Sequence, residues 1–229
     1  MKSRGEKEFI KFPKFAAKLY DYMINGNSTG VQTNEIAQFL TSKIMKGKLL
    51  DIGTGPGKLL VELNNLNPRI ELYGLDISES MLKIAEKNLA KIPVHLRLGN
   101  IQKTEYKDDF FDIITITGSF YLWDHPIECI EEIDRLLKVN GSAYLFETYK
   151  EYNEQDFKRG LKSNLKKENF LRRIFSPFFL NKQLEMTYRI SEIENILERS
   201  SFKNSYEITK ITLGGLPIWL RVSLNKSSK

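Results

Sequence analysis

The apolar and polar residues of this chain change their spacing from block to block, and each spacing predicts a type of secondary structure. Short apolar runs bounded by turn residues predict buried strands, and apolar residues spaced three or four apart predict helices. The predicted strands cover residues 49–52, 70–76, 94–98, 110–117 and 142–148. The predicted helices cover residues 13–24, 31–43, 79–90 and 126–139, and another helix begins at residue 58. Strand and helix therefore alternate, which favours a parallel, doubly wound α/β sheet with right-handed crossovers.

The alternation stops after the fifth predicted strand. Residues 150–185 are basic and aromatic, with Phe157, Leu161 and Leu165 at helical spacing and an apolar cluster over residues 170–180. This pattern favours a helical cap inserted before the last elements of the chain. An amphipathic helix that lies on a membrane surface is the alternative.

The C-terminal segment carries the signals of one helix and one hairpin. Ser191 and Glu194 have the spacing of a capping box and predict a helix that runs to about Ser200. Two apolar segments, 206–213 and 218–224, flank Gly214-Gly215-Leu216-Pro217 and predict an antiparallel β-hairpin.

Composition is that of an ordinary globular protein. The 229 residues, 41% of them apolar, are enough for one α/β domain with a sizeable core. The charged segment from Met1 to Lys14 disfavours a signal peptide, and no apolar run reaches the length of a membrane span. Because the sequence contains one cysteine, Cys129, and two histidines, we expect no disulfide and no metal site. These features predict a cytoplasmic protein without integral membrane contact.

The net charge of +6 is unevenly distributed. Between residues 158 and 173 the single acid is Glu168, and the basic residues are Lys158, Arg159, Lys162, Lys166, Lys167, Arg172 and Arg173. A solvated helix face is the default interpretation of such a run. A site for an anionic substrate, for nucleic acid or for a membrane surface is the alternative.

The stretch Leu49-Leu50-Asp51-Ile52-Gly53-Thr54-Gly55-Pro56-Gly57 carries the strongest functional signal. A buried strand here leads through a glycine loop into a helix, which brings backbone N–H groups and a helix N-terminus to one point. Glycines let the chain turn sharply and let a ligand approach the backbone. The sequence therefore predicts a site for a polar or anionic part of a ligand.

Asp76 ends the next predicted strand, about 20 residues after the loop, where a ribose-binding carboxylate is expected. A carboxylate accepts two hydrogen bonds at once, which suits a vicinal diol. Considered alone, Asp76 is more simply explained as the residue that opens the following helix with Ser78 and Glu79. Together with the glycine loop, its position favours the ribose contact.

Gly53, Gly55 and Gly57 follow the pattern Gly-x-Gly-x-Gly with an acid two residues upstream, which resembles motif I of the class I S-adenosylmethionine (SAM)-dependent methyltransferases. Dinucleotide-binding loops instead follow Gly-x-Gly-x-x-Gly. The run Phe111-Asp112-Ile113-Ile114 and the terminal hairpin add to the resemblance, which covers residues 48–149 strongly and 186–224 in outline. Leu75-Asp76-Ile77-Ser78 and residues 136–141 are most similar to the small-molecule methyltransferases of ubiquinone and menaquinone biosynthesis.

This resemblance implies a fold class and a domain organisation. The expected fold is α/β, a doubly wound, mostly parallel seven-stranded sheet of the Rossmann-like methyltransferase type, with a terminal antiparallel hairpin and a helical cap. The expected parts are N-terminal helices over the cofactor pocket (1–47), a SAM-binding core (48–149), a cap insertion (150–185), and a terminal helix and hairpin that complete the sheet (186–229).

The resemblance also implies the cofactor, SAM, with S-adenosylhomocysteine as its product. Asn100 stands where the family usually has an acid that accepts a hydrogen bond from the adenine amino group, and an asparagine oxygen accepts without full charge. The residues expected to bind the cofactor are Asp51, Gly53, Thr54, Gly55, Gly57, Asp76, Ile77, Asn100, Ile101 and Thr117.

The loop after the fourth strand is expected near the reacting centre, because ligands of open parallel sheets bind at the carboxyl ends of the strands. It supplies Phe120, Tyr121 and Trp123 as expected acceptor contacts. His125 follows in the same loop and is the candidate general base, since an imidazole titrates near neutral pH. A helix-opening role is the alternative for His125, and a core position is the alternative for Tyr20, which is expected to reach the ligand from the N-terminal helix.

These features predict SAM-dependent methyl transfer to a small, partly apolar or anionic acceptor. A protein that binds SAM without transferring its methyl group, as a sensor or an assembly partner, is one alternative, and a methyltransferase acting on RNA is a less favoured one. The chain has no Asn-Pro-Pro-Tyr segment and no Pro-Cys motif, which argues against methylation of adenine or glutamine amines and of cytosine C5. The glycine spacing and the terminal hairpin disfavour a nicotinamide-dependent oxidoreductase. The sequence does not indicate an oligomeric state.

Overall fold

The computed structural model describes residues 14–227, with the side chains of residues 14–17 and Ile24 excepted. One sheet is built from β1 (Gly47–Ile52), β2 (Ile70–Asp76), β3 (Val94–Leu98), β4 (Phe111–Thr117), β5 (Leu137–Thr148), β6 (Tyr206–Leu213) and β7 (Leu216–Asn225). The strand order is β3-β2-β1-β4-β5-β7-β6. Strands β1 to β5 are parallel, and β7 runs antiparallel between β5 and β6. The predicted fold class is therefore confirmed.

Helices connect and cover these strands. They are α1 (Lys14–Ile24), α2 (Asn27–Lys43), α3 (Lys58–Leu66), α4 (Glu79–Asn88), α5 (Pro126–Leu136), α6 (Glu154–Leu165), α7 (Phe170–Met186) and α8 (Ile190–Glu198), with a 3₁₀ turn at Phe120–Leu122. Within residues 14–227, none of the helices combines the length and the apolar content that crossing a bilayer requires.

The sheet is covered on both faces. Buried residues of α2, α3, α4 and α6 pack on one face, and those of α5 and α8 pack on the other. Side chains of β1 point to both faces. Leu49 belongs to the apolar cluster on the side of α2 and α3, whereas Leu50 and Ile52 belong to the cluster on the side of α5 and α8. Because both faces are buried, the strands read as continuous apolar runs in the sequence rather than as alternating ones.

Two predicted helix boundaries are wrong, and one connection departs from the alternation of strand and helix. Helix α2 begins at Asn27, so only Asn25 and Gly26 separate it from α1. Helix α5 ends at Leu136 instead of at Asn140, because Leu137 is already paired with Phe111 of β4 and begins β5. The described chain has no helix between β3 and β4, where residues 99–110 form turns tied to α5 through the backbone of Thr104 and Tyr106.

The capping box proposed at Ser191 is also wrong. Helix α8 begins at Ile190, and the N–H of Arg189 donates to Oε2 of Glu192 at 2.7 Å. The predicted hairpin is present, with its turn at Gly214 and Gly215 and with Leu216 already in β7.

The residues of the predicted cap form α6 and α7, and hydrogen bonds join this segment to α2 and to the turn of the C-terminal hairpin. Asn164 of α6 donates to the carbonyl of Gly214 at 2.8 Å, in the hairpin turn. Glu168, in the turn between α6 and α7, accepts a 2.8 Å hydrogen bond from the N–H of Ser28 in α2. These bonds hold α6 over the carboxyl end of the sheet. The division of the chain into four parts stays a prediction.

Candidate active site

From β1 the chain adds β2 and β3 on one side, and from β4 it adds β5 on the other. The switch point of the sheet therefore lies between β1 and β4. Ligands of open α/β sheets bind at the carboxyl ends of the strands at such a point. The loops that follow β1, β2, β3 and β4 meet at this edge, and β5 ends beside them. The residues predicted to bind ligand belong to these loops.

Gly53, Gly55 and Gly57 give the loop after β1 a left-handed backbone, with φ values of 71°, 53° and 78°. A Cβ on Gly53 would lie 2.5 Å from Oγ of Ser119, and one on Gly57 would lie 2.6 Å from Cδ1 of Leu89. The space beside Gly55 is open, since the nearest atom to a Cβ there is the Gly53 carbonyl oxygen at 4.0 Å. Packing within the protein therefore requires Gly53 and Gly57, while Gly55 leaves the face of the loop open.

Asp76 lies buried at the end of β2 and contacts the glycine loop directly. Its Oδ2 accepts a hydrogen bond from the N–H of Gly55 at 2.7 Å, and its Oδ1 accepts one from the N–H of Ser78 at 2.8 Å. Burial raises the pKa of this carboxyl, and the backbone N–H groups partly oppose the shift. Each oxygen retains a lone pair for a further donor.

Asp51 lies at the other side of the loop and is also buried. The hydroxyl of Thr54 donates to its Oδ2 at 2.8 Å. Burial raises the pKa of Asp51 to about 7; the hydroxyl of Thr54 lowers it, and the negative charge of Asp76 raises it further. The acid before the first glycine is thus held in place by the loop it precedes.

Glu147, at the end of β5, is a buried acid behind the loop that follows β4, and the sequence pattern did not single it out. Its Oε1 accepts hydrogen bonds from the N–H groups of Ser119 and Phe120 at 2.8 and 2.7 Å, whereas its buried Oε2 has no partner among the described residues. Burial raises its pKa to about 8, against the backbone donors that lower it. An acid at the carboxyl end of an apolar strand, the pattern that identified Asp76, was the available signal.

Three buried carboxyl groups, those of Asp51, Asp76 and Glu147, lie at this edge of the sheet, and burial raises the pKa of each. The pKa of Tyr20 is raised to about 12 by burial and by the charges of Asp76 and Glu147, so its hydroxyl lies in the same field. Burial of negative groups with incomplete hydrogen bonding is unfavourable unless a positive partner compensates. The edge is therefore suited to a cationic ligand.

Two cavities open among these groups. The first, of about 150 Å³, lies over the loops that follow β1 to β4. It brings together most of the residues predicted from the sequence: Tyr20, Gly53, Gly55, Asp76, Ile77, Asn100, Ile101, Thr117, Tyr121, Trp123 and His125.

The second cavity, of about 470 Å³, lies between the glycine loop and the helices α1, α2, α6 and α7. Asp51 and Thr54 line it, and its largely apolar wall includes Met23, Leu161, Leu165, Phe179, Leu180 and Trp219. Six residues line both cavities and form the junction between them: Tyr20, Gly53, Gly55, Thr117, Gly118 and Tyr121.

Three predicted site residues are placed differently from the expectation. Phe120 is fully buried, with its ring 5.1 Å from that of Trp123 and 5.4 Å from that of Tyr188, so it is a core residue and not an acceptor contact. Gly57 lines neither cavity, since its role is to begin α3. His125 lines the first cavity only, half exposed, with Nδ1 3.8 Å from Oε1 of Glu128. Its catalytic role stays a prediction.

The basic residues between positions 158 and 173 line neither cavity. The guanidinium of Arg172 donates to the Tyr22 carbonyl, and that of Arg173 donates to the carbonyls of Leu165, Lys166 and Glu168. Arg172 therefore ties the start of α7 to α1, and Arg173 ties it to the end of α6 and the turn that follows. Lys58 and Lys182 are instead the basic residues that line the second cavity.

The strand order and the site define a class I methyltransferase fold, and comparison with known proteins gives the family. A family model described as "Methyltransferase domain" matches residues 45–203. A demethylmenaquinone methyltransferase of Lactobacillus johnsonii is 31% identical over 208 residues, which are 85% of this chain and 84% of that protein. The chain belongs to this methyltransferase family, which confirms the class predicted from the sequence.

Solved structures agree on the fold. The plantazolicin methyltransferase BpumL, crystallised with a triazolic desmethyl substrate analogue and S-adenosylhomocysteine, superimposes with a TM-score of 0.72 at 19% identity, over 96% of this chain and 95% of that one. A SAM-dependent methyltransferase from Aquifex aeolicus gives a TM-score of 0.66 at 19% identity, over 94% and 99% of the two chains.

Proposed function

We propose that this protein transfers the methyl group of SAM to a small acceptor with an apolar body, with the donor in the first cavity and the acceptor in the second. The observation that carries this proposal is the junction of the two cavities at the glycine loop and the loop after β4. Direct group transfer requires a donor and an acceptor that meet at one point.

The residues of the first cavity fit SAM. The buried Asp76 carboxylate retains acceptor capacity for the two ribose hydroxyls, and Ile77 and Ile101 offer apolar contacts for the adenine ring. Oδ1 of Asn100 accepts from the N–H of Gln102 at 3.0 Å and keeps a lone pair for the adenine amine. The open face at Gly55 leaves room for the amino-acid end of the cofactor.

The charge of the site supports the same cofactor. SAM carries an ammonium and a sulfonium against one carboxylate; Asp76 lines the first cavity, and Asp51 lies buried across the glycine loop. A pocket lined with one sign of charge concentrates ligands of the opposite sign. A nicotinamide dinucleotide, whose diphosphate is anionic, would meet repulsion here.

The second cavity supports an acceptor that is mostly apolar. Leu161 and Leu180 line its wall with Trp219, and Gln32 and Asn164 supply polar groups that could orient a ligand. Ligand sites are commonly apolar with a few placed polar groups. The relatives, a demethylmenaquinone methyltransferase and a plantazolicin methyltransferase, carry names that support a small-molecule or peptide acceptor.

Bound SAM supplies a methyl group on a positively charged sulfur. The leaving group is the neutral thioether of S-adenosylhomocysteine. The protein then has to align the acceptor, exclude water and orient polar groups at the junction. Burial raises the pKa of Tyr20 and of Tyr121, so both hydroxyls stay protonated at neutral pH and act through hydrogen bonds rather than as bases. If His125 removes the acceptor's proton, the acceptor must extend through the junction into the first cavity.

Transfer from methyl-labelled SAM tests the proposal. The purified protein is incubated with demethylmenaquinone, with a desmethyl plantazolicin analogue, and with a cell extract, and the labelled products are separated into small molecules, peptides and RNA. We expect label in a small molecule or peptide. Label confined to RNA would support the nucleic-acid alternative, and SAM binding without any labelled product would support the sensor alternative.

A matched pair of variants tests the second cavity. Ser176→Phe adds a ring inside the cavity, whereas Ser163→Phe adds the same ring on the exposed face of α6. We expect the first variant to raise the KM for the acceptor and leave the Kd for SAM unchanged, and the second to change neither. Equal kinetics in the two variants would place the acceptor elsewhere.

A further inference from the structure

The outward face of α7 carries a row of large apolar side chains exposed to solvent. This apolar row consists of Phe170, Leu171, Ile174, Phe175 and Phe178. The spacing of one, four, five and eight residues places the five side chains on one face of the helix. Phe170 is 74% exposed and Phe178 is 65% exposed. Contiguous apolar surface of this kind marks an interaction site.

Other exposed apolar residues do not form such a patch. Val31, Met45, Leu98 and Val139 are exposed to a similar degree, but they lie in different parts of the fold: α2, the bend before β1, β3 and β5. Scattered apolar residues of this kind are normal on protein surfaces. The apolar row is therefore distinguished by its contiguity, not by exposure alone.

The opposite face of α7 is held by the protein, so the direction of the apolar row is fixed. Leu184 is buried in the core cluster, and Leu180 and Gln183 line the second cavity. At the start of the helix, Arg172 donates to the Tyr22 carbonyl and stacks over the Tyr22 ring at 4.5 Å. One face of α7 therefore packs against the protein, and the opposite face is exposed to solvent.

Most of the charged residues around the apolar row are basic, and the exposed acid of α7 is Glu185, near its end. Between residues 157 and 184 the single acid, Glu168, is buried, and its Oε2 lies 3.8 Å from Nη1 of Arg172. Lys166 and Lys167 precede the row, and Lys182, which also lines the second cavity, follows Phe178 by one helical turn. All three lysines are exposed, and within residues 14–227 none of them forms an ion pair with an acid.

We propose that the outward face of α7 docks on an anionic lipid bilayer, with the apolar row in the acyl boundary and Lys166, Lys167 and Lys182 against the lipid phosphates. An apolar helix face bordered by lysines is the composition of helices that lie in the membrane interface. A second copy of this chain fits less well, because pairing two such faces would bring their lysines together. Docking in this orientation would bring the second cavity close to the lipid surface; that consequence rests on the proposed function, whereas the docking does not.

Vesicle sedimentation tests the docking with the full chain. The probes are vesicles of phosphatidylcholine alone and vesicles with about 30% phosphatidylglycerol, at low and at high salt. We expect binding to the anionic vesicles, weaker binding to the neutral ones, and a decrease with salt, because salt screens the lysine contacts. Absence of binding to the anionic vesicles would overturn the proposal.

Two triple variants of matched chemistry separate the apolar row from general surface apolarity. The first triple variant combines Phe170→Ser, Ile174→Ser and Phe178→Ser. It should lower the partition coefficient between buffer and anionic vesicles about tenfold or more, since interfacial binding scales with buried apolar area. The control, Met45→Ser with Leu98→Ser and Val139→Ser, removes exposed apolar groups elsewhere and should bind as the native chain does. Equal binding of the two triple variants would contradict the proposal.

A charge variant and a mass measurement complete the test. Lys166→Gln with Lys167→Gln and Lys182→Gln should reduce binding to anionic vesicles and abolish the effect of salt, and this variant decides the matter if the serine triple does not fold. Light scattering gives the oligomeric state in the absence of lipid. A native dimer that the serine triple converts to a monomer would assign the apolar row to a second copy instead of to a bilayer.

Discussion

The N–H of Gly55 donates a 2.7 Å hydrogen bond to Oδ2 of Asp76, which joins the glycine loop after β1 to the end of β2. The two residues are 21 positions apart in the sequence, where they form two separate signals. In the structure they are one unit, so Asp76 has a structural role as well as its proposed contact with the ribose.

Asp76→Ala should weaken SAM binding by roughly 1.5–3 kcal/mol, the range for hydrogen bonds to a charged group. Calorimetric titration measures the loss, and urea unfolding measures the accompanying change in stability. Asp112→Ala is the matched control, because Oδ2 of Asp112 also accepts a backbone N–H, that of Lys48 at 2.8 Å, but Asp112 lines neither cavity. SAM binding that is unchanged in a folded Asp76→Ala protein would leave Asp76 with its structural role alone.

Asn100→Asp should leave SAM binding unchanged or slightly tighter. Oδ1 of Asn100 already accepts from the N–H of Gln102, and a carboxylate could keep this bond while it offers a charged acceptor to the adenine amine. The Kd for SAM, measured at two ionic strengths, checks the expectation. A clear loss of affinity would mean that the amide N–H₂ of Asn100 donates to the ligand.

Gly53→Ala and Gly55→Ala should separate packing from ligand access. Both require a left-handed alanine, at a cost of roughly 1–2 kcal/mol. Gly53→Ala also places a Cβ 2.5 Å from Oγ of Ser119, so it should lower the Tm more, and Ser119→Gly should partly restore it. Gly55→Ala, with open space around it, should be the milder change in stability while it still reduces SAM affinity. Equal Tm values for the two variants would contradict this account.

Glu147 should make stability depend on pH. Its pKa is about 8 in the fold against an ordinary value of 4.5, so between these values the folded protein holds a proton that the unfolded chain releases. The stability that this group contributes is complete below pH 4.5 and is lost as pH rises through 8. Relative to Glu147→Gln, which cannot titrate, the native protein should lose up to about 1.4 kcal/mol per pH unit in this window.

Urea unfolding of both proteins at about pH 5 and about pH 8.5 measures the difference. Glutamine keeps an oxygen for the N–H groups of Ser119 and Phe120, so the two proteins should be closest in stability at the lower pH. A difference that does not change with pH would mean that Glu147 ionises in the fold as it does in water.

The basic residues of the cap should divide into two groups. Arg173→Gln removes donors to three backbone carbonyls and should destabilise the protein by about 1–3 kcal/mol, the cost of leaving acceptors unpaired. Lys166→Gln, a change of charge at an exposed side chain, should alter stability by no more than about 0.5 kcal/mol. Neither should change the Kd for SAM. Equal stabilities would show that the Arg173 contacts contribute nothing.

The sequence by itself determined most of the elements and most of the residues that line the first cavity. Apolar runs and helical spacing depend on local backbone geometry, so the strands from β1 to β4 and the helix α3 could be predicted closely. The glycines at 53, 55 and 57 are also local features, since their left-handed φ values exclude most other residues. Asp76 could be identified because it follows a strand at a fixed distance from that loop.

Only the tertiary structure decided which residues are brought together across the chain. Glu147 supports the loop after β4 because β5 ends beside β4, and its carboxyl group accepts from N–H groups of residues 27 and 28 positions away. The second cavity forms where α1, α2, α6 and α7 meet over the loop, and no local spacing encodes that meeting. The same long-range packing buries Phe120, directs Arg172 and Arg173 to carbonyl groups, and leaves the apolar row of α7 outside. Burial depends on what lies opposite a residue, and in this protein most of those partners are distant in sequence.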